Sequence, residues 1–319
     1  MSDDPRNAPP RIAVVGSLNY DILVSGASVP RMGETSPARS WAPKCGGKGG
    51  NQAIEAARHG ATVSMIGRVG ADQLGDALVA NLKAQGVDAG CVLRSADGVS
   101  GLTVALFDES GDYRGVFVPG ANAALERDSI SGAARRAIEG AAVLLLQNET
   151  PMEANVAAAE VARAAGCRVI WNAAPVQEVD DRMLTLTDIL VVNAIEAEGF
   201  GAAPVIDLAS AEAAARALAP RAPSVVVTAG EDGLAIAGEG RVATLAAHEI
   251  RVASTHGAGD AFCGALAVRL AAGFDLGDAV IYASAAAATL VATHEEDRPH
   301  LTVDDTLARV SLSPPLTPA

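Results

Sequence analysis

The chain predicts an α/β fold of three layers, a doubly wound and mostly parallel sheet with helices on both faces, carrying a small β-sheet lid. Three observations lead there. Short β-branched runs alternate with Ala-rich stretches of helical composition, Gly or polar residues follow each run, and two strand-rich segments break the alternation.

The runs are Ile12 to Val15, Val63 to Ile66, Val143 to Leu146, Val169 to Trp171, Ile189 to Val192 and Val225 to Thr228. Gln52 to Arg58, Asp76 to Gln85, Glu153 to Ala165 and Ala211 to Leu218 supply the intervening helices. Strands that alternate with helices in this way pair in parallel and bind ligands beyond their carboxyl ends. Tyr20 to Trp41 and Gly101 to Val118 interrupt the rhythm; the second reads as a hairpin, Leu102 to Phe107 and Tyr113 to Val118 around the turn Glu109-Ser110-Gly111-Asp112. Together they are read as one lid, inserted at about 18–45 and 98–120 into a single domain of residues 11–312. Residues 1–10 are expected to be a disordered tail and 313–319, with Pro314, Pro315 and Pro318, a frayed one.

Half of the residues are hydrophobic and 3% are aromatic, so helices must pack closely around few large anchors. The formal charge of −14 argues against a nucleic-acid partner, because no basic patch stands ready to displace counterions. Cys45, Cys91, Cys167 and Cys263 are far apart and form no metal-binding or disulfide pattern. Met1 to Pro10 has no apolar core for a signal peptide, and Ala285 to Ala292 is too short to span a membrane. A cytoplasmic protein without a membrane partner is the expectation.

Chemistry concentrates in four strings. In Ser254-Thr255-His256-Gly257-Ala258-Gly259-Asp260, a flexible turn runs into the apolar stretch Ala261 to Ala272, which predicts a helix beginning near Gly257. Free N–H groups there would face a phosphate, and Asp260, in the first turn, could take a proton from a hydroxyl. Taken alone, the string is equally a turn with a capping carboxylate. Cys45 to Ala53 is a second Gly-rich run, neither a Walker A loop nor a dinucleotide fingerprint; it is a hinge, or a site where Lys48 and Asn51 supply donors to a polyhydroxylated ligand. Asn19 and Asp21, after the first strand, could grip vicinal hydroxyls, although an Asx turn explains them as well. Glu149, after Leu146, is a sugar ligand or a carboxylate at a helix N-terminus ahead of Pro151.

From about residue 11 to about residue 290 the chain resembles the ribokinase-like carbohydrate kinases. Gly46-Gly47-Lys48-Gly49-Gly50-Asn51-Gln52-Ala53 is similar to that family's first signature and Gly257-Ala258-Gly259-Asp260 to its second. Gly16 to Asp21, Gly120 to Leu125 and Ala174-Pro175 after Asn172 add to the likeness. The resemblance implies a ribokinase-like fold and transfer of the γ-phosphoryl group of ATP to a sugar's primary hydroxyl, ribose first among acceptors. It implies that Asn19, Asp21, Gly47, Lys48, Asn51 and Glu149 hold the sugar, that Asp260 is the base, and that Gly257, Ala258 and Gly259 form the anion hole. Asn193, Thr228 and Gly230 would then contact the nucleotide, and Glu196 of Asn193-Ala194-Ile195-Glu196 would organise magnesium. Dimerisation through the lid is a further implication.

The likeness breaks at Ser254 and His256, where cation-dependent members carry Asp and Thr, and at His294-Glu295-Glu296-Asp297, where they carry a Gly-containing loop. A degenerate potassium site is therefore expected, with weak activation or none. Alternative acceptors are a nucleoside or another pentose, ketohexose or polyol, with lid residues such as Met32, Trp41 and Phe107 deciding the choice. A catalytically silent sugar sensor on the same scaffold is the reading from another class, and the retained Lys48, Glu196 and Asp260 argue against it.

Overall fold

The structure is a computed structural model and describes residues 8–26, 32–108, 113–238 and 240–318. Its main sheet has ten strands. In spatial order these are β14 (Thr317–Pro318), β13 (Arg241–Ala246), β12 (Gly233–Gly238), β11 (Ser224–Thr228), β10 (Ile189–Asn193), β9 (Arg168–Asn172), β8 (Val143–Gln147), β1 (Arg11–Val15), β4 (Thr62–Gly70) and β5 (Asp88–Ser95). The seven from β11 to β5 run parallel, whereas β12, β13 and β14 add on in antiparallel fashion.

Each central strand is buried on both faces. Ala13 and Val15 of β1 join one core with Leu144 and Leu146 of β8, while Ile12 and Val14 join the other with Val143 and Leu145. This explains why the runs read as continuously apolar and not alternating. Helices α3 (Gly132–Glu139), α4 (Met152–Ala165), α5 (Asp181–Leu186) and α7 (Leu208–Leu218) cover the first core. On the second lie α1 (Lys48–Arg58), α2 (Gln73–Ala84), α8 (Ala258–Ala271) and α9 (Leu276–Ala292). Helices α6 (Ala194–Gly199) and α10 (Val303–Val310) complete the set among the described residues.

The order of the strands places the ligand crevice. From β1 the chain winds outward through β4 to β5, then returns to the opposite side of β1 and winds the other way through β8, β9, β10 and β11. The winding reverses between β1 and β8, and a doubly wound sheet opens its crevice at such a reversal. Gly16 to Asn19 and Gln147 to Glu149 leave the sheet there.

A second sheet of four strands, in the order β3 (Ser40–Gly46), β2 (Asn19–Ser25), β6 (Gly101–Phe107) and β7 (Tyr113–Val118), is assembled from the two segments that broke the sequence rhythm. Strands β2 and β6 pair in parallel, and β3 and β7 flank them antiparallel. The hairpin turn expected at 109–112 lies outside the described residues, although β6 and β7 pair as a hairpin would, with Phe107 opposite Tyr113. The expectation of a frayed tail is corrected for residues 313–318 by the pairing of Thr317 with Thr244 and the packing of Leu316 against the second core, while residue 319 lies outside the described residues.

Helices α1 and α8 cross in contact because Gly264 has no side chain. A Cβ there would stand 2.7 Å from Glu55 Cβ and 2.9 Å from Ala56 N. We expect Gly264→Ala to destabilise the protein by about 1–3 kcal/mol through overpacking, read as a lower denaturant midpoint; an unchanged midpoint would show that the two helices separate freely.

Candidate active site

The two Gly-rich runs each lead into a helix, and the two helices converge. Gly47 is the N-cap of α1 at φ 87°, a left-handed conformation that only glycine adopts without cost, and a Cβ there would fall 2.8 Å from Ser17 O. A Cβ on Gly49 would strike the Gly16 backbone at 2.6 Å. The glycines of this run therefore let α1 lie against the end of β1, with Gly50 N donating to Ser17 O at 3.0 Å. Lys48, Asn51 and Gln52 fall in its first turn on one face, at spacings of three and four.

That face meets Asp260 in the first turn of α8. Asn51 Nδ2 donates to Asp260 Oδ2 at 2.9 Å, and Gln52 Nε2 donates to Asp260 Oδ1 at 3.1 Å. Gln52 Nε2 also reaches Asn172 Oδ1 at 3.1 Å, while Gln52 Oε1 accepts from Gln147 Nε2 at 2.7 Å. The carboxylate is thus oriented by a buried amide chain spanning α1, β8 and β9. Burial pushes the Asp260 pKa up, and Lys48, Asn51 and Gln52 pull against it. A carboxylate so placed is a stronger proton acceptor than one in water, and Lys48 keeps it ionisable. For Lys48 the balance has the opposite sign: burial opposes its charge, but Asp260, Glu149 and Glu196 together hold its pKa above the usual value.

Glu149 stands at the N-terminus of α1. Its Oε2 accepts from Lys48 N at 3.0 Å, Ser17 Oγ at 2.5 Å and Asn19 Nδ2 at 3.5 Å, so it stitches β8's exit to β1's across the crevice. The helix-terminal reading is corrected in its partner: Glu149 bonds the first N–H of α1, not the helix that follows Pro151, whose N-terminus takes no side-chain cap, and it stands beside Asn19. Asn19 is set in turn by Asn122, which is fully buried; Asn122 Nδ2 donates to Asn19 Oδ1 at 2.8 Å and to Leu18 O at 3.1 Å, and Asn122 Oδ1 accepts from Leu18 N at 2.9 Å. Asp21, two residues along β2, is buried, and desolvation raises its pKa to about 6, with Glu149 adding to the rise while Thr103 and Lys44 oppose it.

Gly257 is the N-cap of α8 at φ 82°, and a Cβ at Gly259 would meet nothing within 4 Å. The turn therefore opens onto free space at a helix N-terminus, where Ala258 N–H makes a long bond to Thr255 O at 3.3 Å and the positive end of the helix dipole faces outward, the geometry of an anion site. Beside it, a cavity of about 470 Å³ is bounded by Asn51, Gly257, Asp260, Leu23, Lys44 and His256, among others. Leu23 and Ala42 of the lid line it, whereas Met32 and Trp41 do not and stand 104% and 66% exposed. Selection by those two residues therefore finds no support in the cavity.

The remaining residues gather at the ends of β10 and β11, where Asn193 is register partner to Thr228. Asn193 and Glu196 cap α6 reciprocally: Asn193 N donates to Glu196 Oε2 at 2.7 Å and Asn193 Nδ2 to Oε1 at 2.9 Å. Gly230 follows Thr228 in an exposed turn at φ 58°. Each residue singled out by sequence thus lies at the carboxyl end of the sheet or in the lid above it. Sequence reasoning gave no part to Ser17, Gln52, Asn122, Gln147 and Asn172; all five lie within strings already marked or at strand ends, and their burial is what separates them from ordinary turn residues.

Residues 9–301 match the model of the pfkB family carbohydrate kinases. The chain belongs to that family. A ribokinase of Haemophilus influenzae is 30% identical over 281 residues, 88% of this chain and 92% of that one. A ribokinase of Mus musculus is 32% identical over 264 residues, 82% and 81% of the two chains. The structure of Arabidopsis thaliana ribokinase complexed with ribose and ATP superposes with a TM-score of 0.86 at 27% identity, covering 95% of this chain and 99% of that one. The fold is thus ribokinase-like, and membership of the pfkB family makes the protein an ATP-dependent sugar kinase of ribokinase type.

Asp21 gives the site a measurable cost. Its proton is held to about pH 6 in the folded protein and is lost near 3.8 in the unfolded chain. Between those values the folded state binds more protons, so stability falls as pH rises through the window and remains lower above it. The difference corresponds to at most about 3 kcal/mol. Asp21→Asn should therefore raise the unfolding free energy at pH 7.5 and give no such advantage at pH 3.5. Denaturant titrations at the two pH values check this, and a variant no more stable than wild type at pH 7.5 would contradict it.

Proposed function

We propose that the protein transfers the γ-phosphoryl group of ATP to a primary hydroxyl of a sugar, converting ribose to ribose 5-phosphate. The observation that carries the reading is the buried Asp260 carboxylate, oriented by Asn51 and Gln52 and set one residue after the open Gly257–Gly259 turn. A base and an anion site so close together suit one step, in which a hydroxyl loses its proton as it attacks a phosphorus atom whose oxygens gain charge. Likeness to ribokinases over most of the chain favours ribose.

The residues divide the work by position. Asn19, Asp21, Gly47, Lys48, Asn51 and Glu149, on β2, α1 and the exit of β8, would offer the donors and acceptors that a polyhydroxylated ring requires, with Glu149 tying Asn19 to Lys48. A buried acceptor left without its hydroxyl costs free energy, so the array discriminates against analogues lacking one. Asp260 accepts the proton from the attacking oxygen. Gly257, Ala258 and Gly259 present N–H groups and the positive end of α8 to the transferring phosphoryl group. Asn193, Thr228 and Gly230 contact the nucleotide at the ends of β10 and β11.

Magnesium fits this arrangement through Glu196. Each oxygen of that carboxylate takes a hydrogen bond from Asn193, which leaves lone pairs for the waters that magnesium retains; burial pushes its pKa up, while Asn193 and Lys48 oppose the rise. When bound, the ion would neutralise phosphate charge. The four-stranded lid leaves Trp41, Val116, Phe117 and Val118 exposed, between 42% and 68%. A second copy of the lid would bury them and close the edges of the sheet, so we propose a homodimer.

Coupled ADP release with Mg-ATP across ribose, deoxyribose, fructose, inositol and nucleosides should show turnover on ribose, cut about 10²–10⁴-fold by Asp260→Asn. Turnover on another acceptor alone would replace the substrate, and full activity of Asp260→Asn would remove the proposed base. Light scattering behind size exclusion should give about twice the chain mass of 32.1 kDa; the chain mass itself would overturn the dimer.

A further inference from the structure

Arg298 directly follows segment 294–297, where the likeness to cation-dependent kinases fails. Its side chain turns inward and is 7% exposed. The guanidinium gathers three backbone carbonyls: Nη2 donates to Ser254 O at 2.8 Å, Nη1 to His256 O at 2.8 Å, and Nε to Thr293 O at 3.2 Å. Two of these carbonyls belong to the loop that leads directly into Gly257, and the third ends the backbone that follows α9.

Three carbonyl oxygens converging on one point repel one another unless a cation or several donors lie between them. A dehydrated alkali-metal ion and a guanidinium are the two occupants of such a place. The chain's residues fit the second. The carbonyls are already taken by the guanidinium, and the Ser254 hydroxyl, neutral and donated to Glu295 Oε1 at 3.1 Å, adds no charge of its own to hold a metal ion. Glu295 Oε1 is 4.0 Å from Arg298 Nη1, and its other oxygen receives Lys44 Nζ of β3 at 3.0 Å, so its charge is shared with the lid.

We propose that Arg298 is a positioning residue of the anion hole, a built-in cation that holds the 254–257 loop from behind in place of a monovalent metal ion. The His256 carbonyl and the Gly257 N–H belong to one peptide group. A cation on the oxygen polarises that group and makes its N–H a better donor. The guanidinium also keeps a positive charge beneath the turn where negative charge develops, and it neither dissociates nor loses its proton at working pH. This inference rests on the reading of Gly257–Gly259 as the phosphoryl site.

The test compares wild type with Arg298→Ala and Arg298→Lys, titrated with KCl or guanidinium chloride against choline chloride at constant ionic strength. Wild-type turnover should be flat in potassium, within about twofold. Arg298→Ala should lose kcat about tenfold or more with the KM for sugar little changed, and either cation should restore most of the loss. Arg298→Lys, which keeps the charge but loses the fork, should fall between the two. A several-fold rise of wild-type turnover with potassium would overturn the proposal, as would an Arg298→Ala enzyme with wild-type kcat or one that neither cation rescues. Melting temperature supplies a readout independent of turnover: potassium should raise it for Arg298→Ala and not for wild type. If no sugar is phosphorylated by wild type, the phosphoryl-site reading fails, while that melting comparison still decides whether Arg298 takes a metal ion's place; equal responses of the two proteins would refute it.

Discussion

A carboxylate withdrawn from water must be held by other groups, and the architecture around Asp260 follows from that requirement. Burial favours its protonated form, which could not act as a base, so donors must reach it from the surrounding protein. Asn51 and Gln52 do so from α1, and they reach it because α1 and α8 touch backbone to backbone at Gly264. Gln52 is anchored in turn by Asn172 and Gln147, which end neighbouring strands of the sheet. The position of one oxygen atom thus depends on a helix crossing, on two strand ends and on the glycines that let α1 approach β1.

Lys48 holds the charge balance together. It faces Asp260, Glu149 and Glu196, three acids from three separate elements, and its ammonium is stabilised by them despite burial. The charge of Lys48 therefore depends on all three acids together. Glu149 shows how structure and charge are combined: it caps α1, faces Asn19, and joins the two strands between which the sheet reverses direction.

Much of the fold was legible because its central strands are short β-branched runs buried on both faces, and β1, β8, β9, β10 and β11 stand where those runs do. The outer strands β12, β13 and β14 were not legible. They are rich in Gly and Ala or contain Pro, and they owe their extended form to pairing with β11 and with each other. The positions of Asp260, Lys48 and Glu149 at one crevice could be anticipated from Gly-rich turns that precede helices. The amides Gln52, Asn122 and Asn172 could not, because a polar residue near a strand end looks the same in sequence whether solvent or another side chain satisfies it. Arg298 was hidden for a related reason: its partners are carbonyls, and every residue has one.

Only three residues, Gly16 to Leu18, separate β1 from β2, so the lid is continuous with the floor of the crevice. Asn19 and Asp21 ride on β2, whereas Asp260 rides on α8. The side chains that would grip the ligand and the side chain that would deprotonate it therefore stand on different elements, and the Lys44–Glu295 ion pair ties the lid to the segment after α9. Occupancy and alignment become one equilibrium in such an arrangement. Where a site is divided in this way, the apparent affinity is the intrinsic affinity scaled by the fraction of molecules with both parts in register, so a group that steadies the lid would tighten binding without touching the ligand.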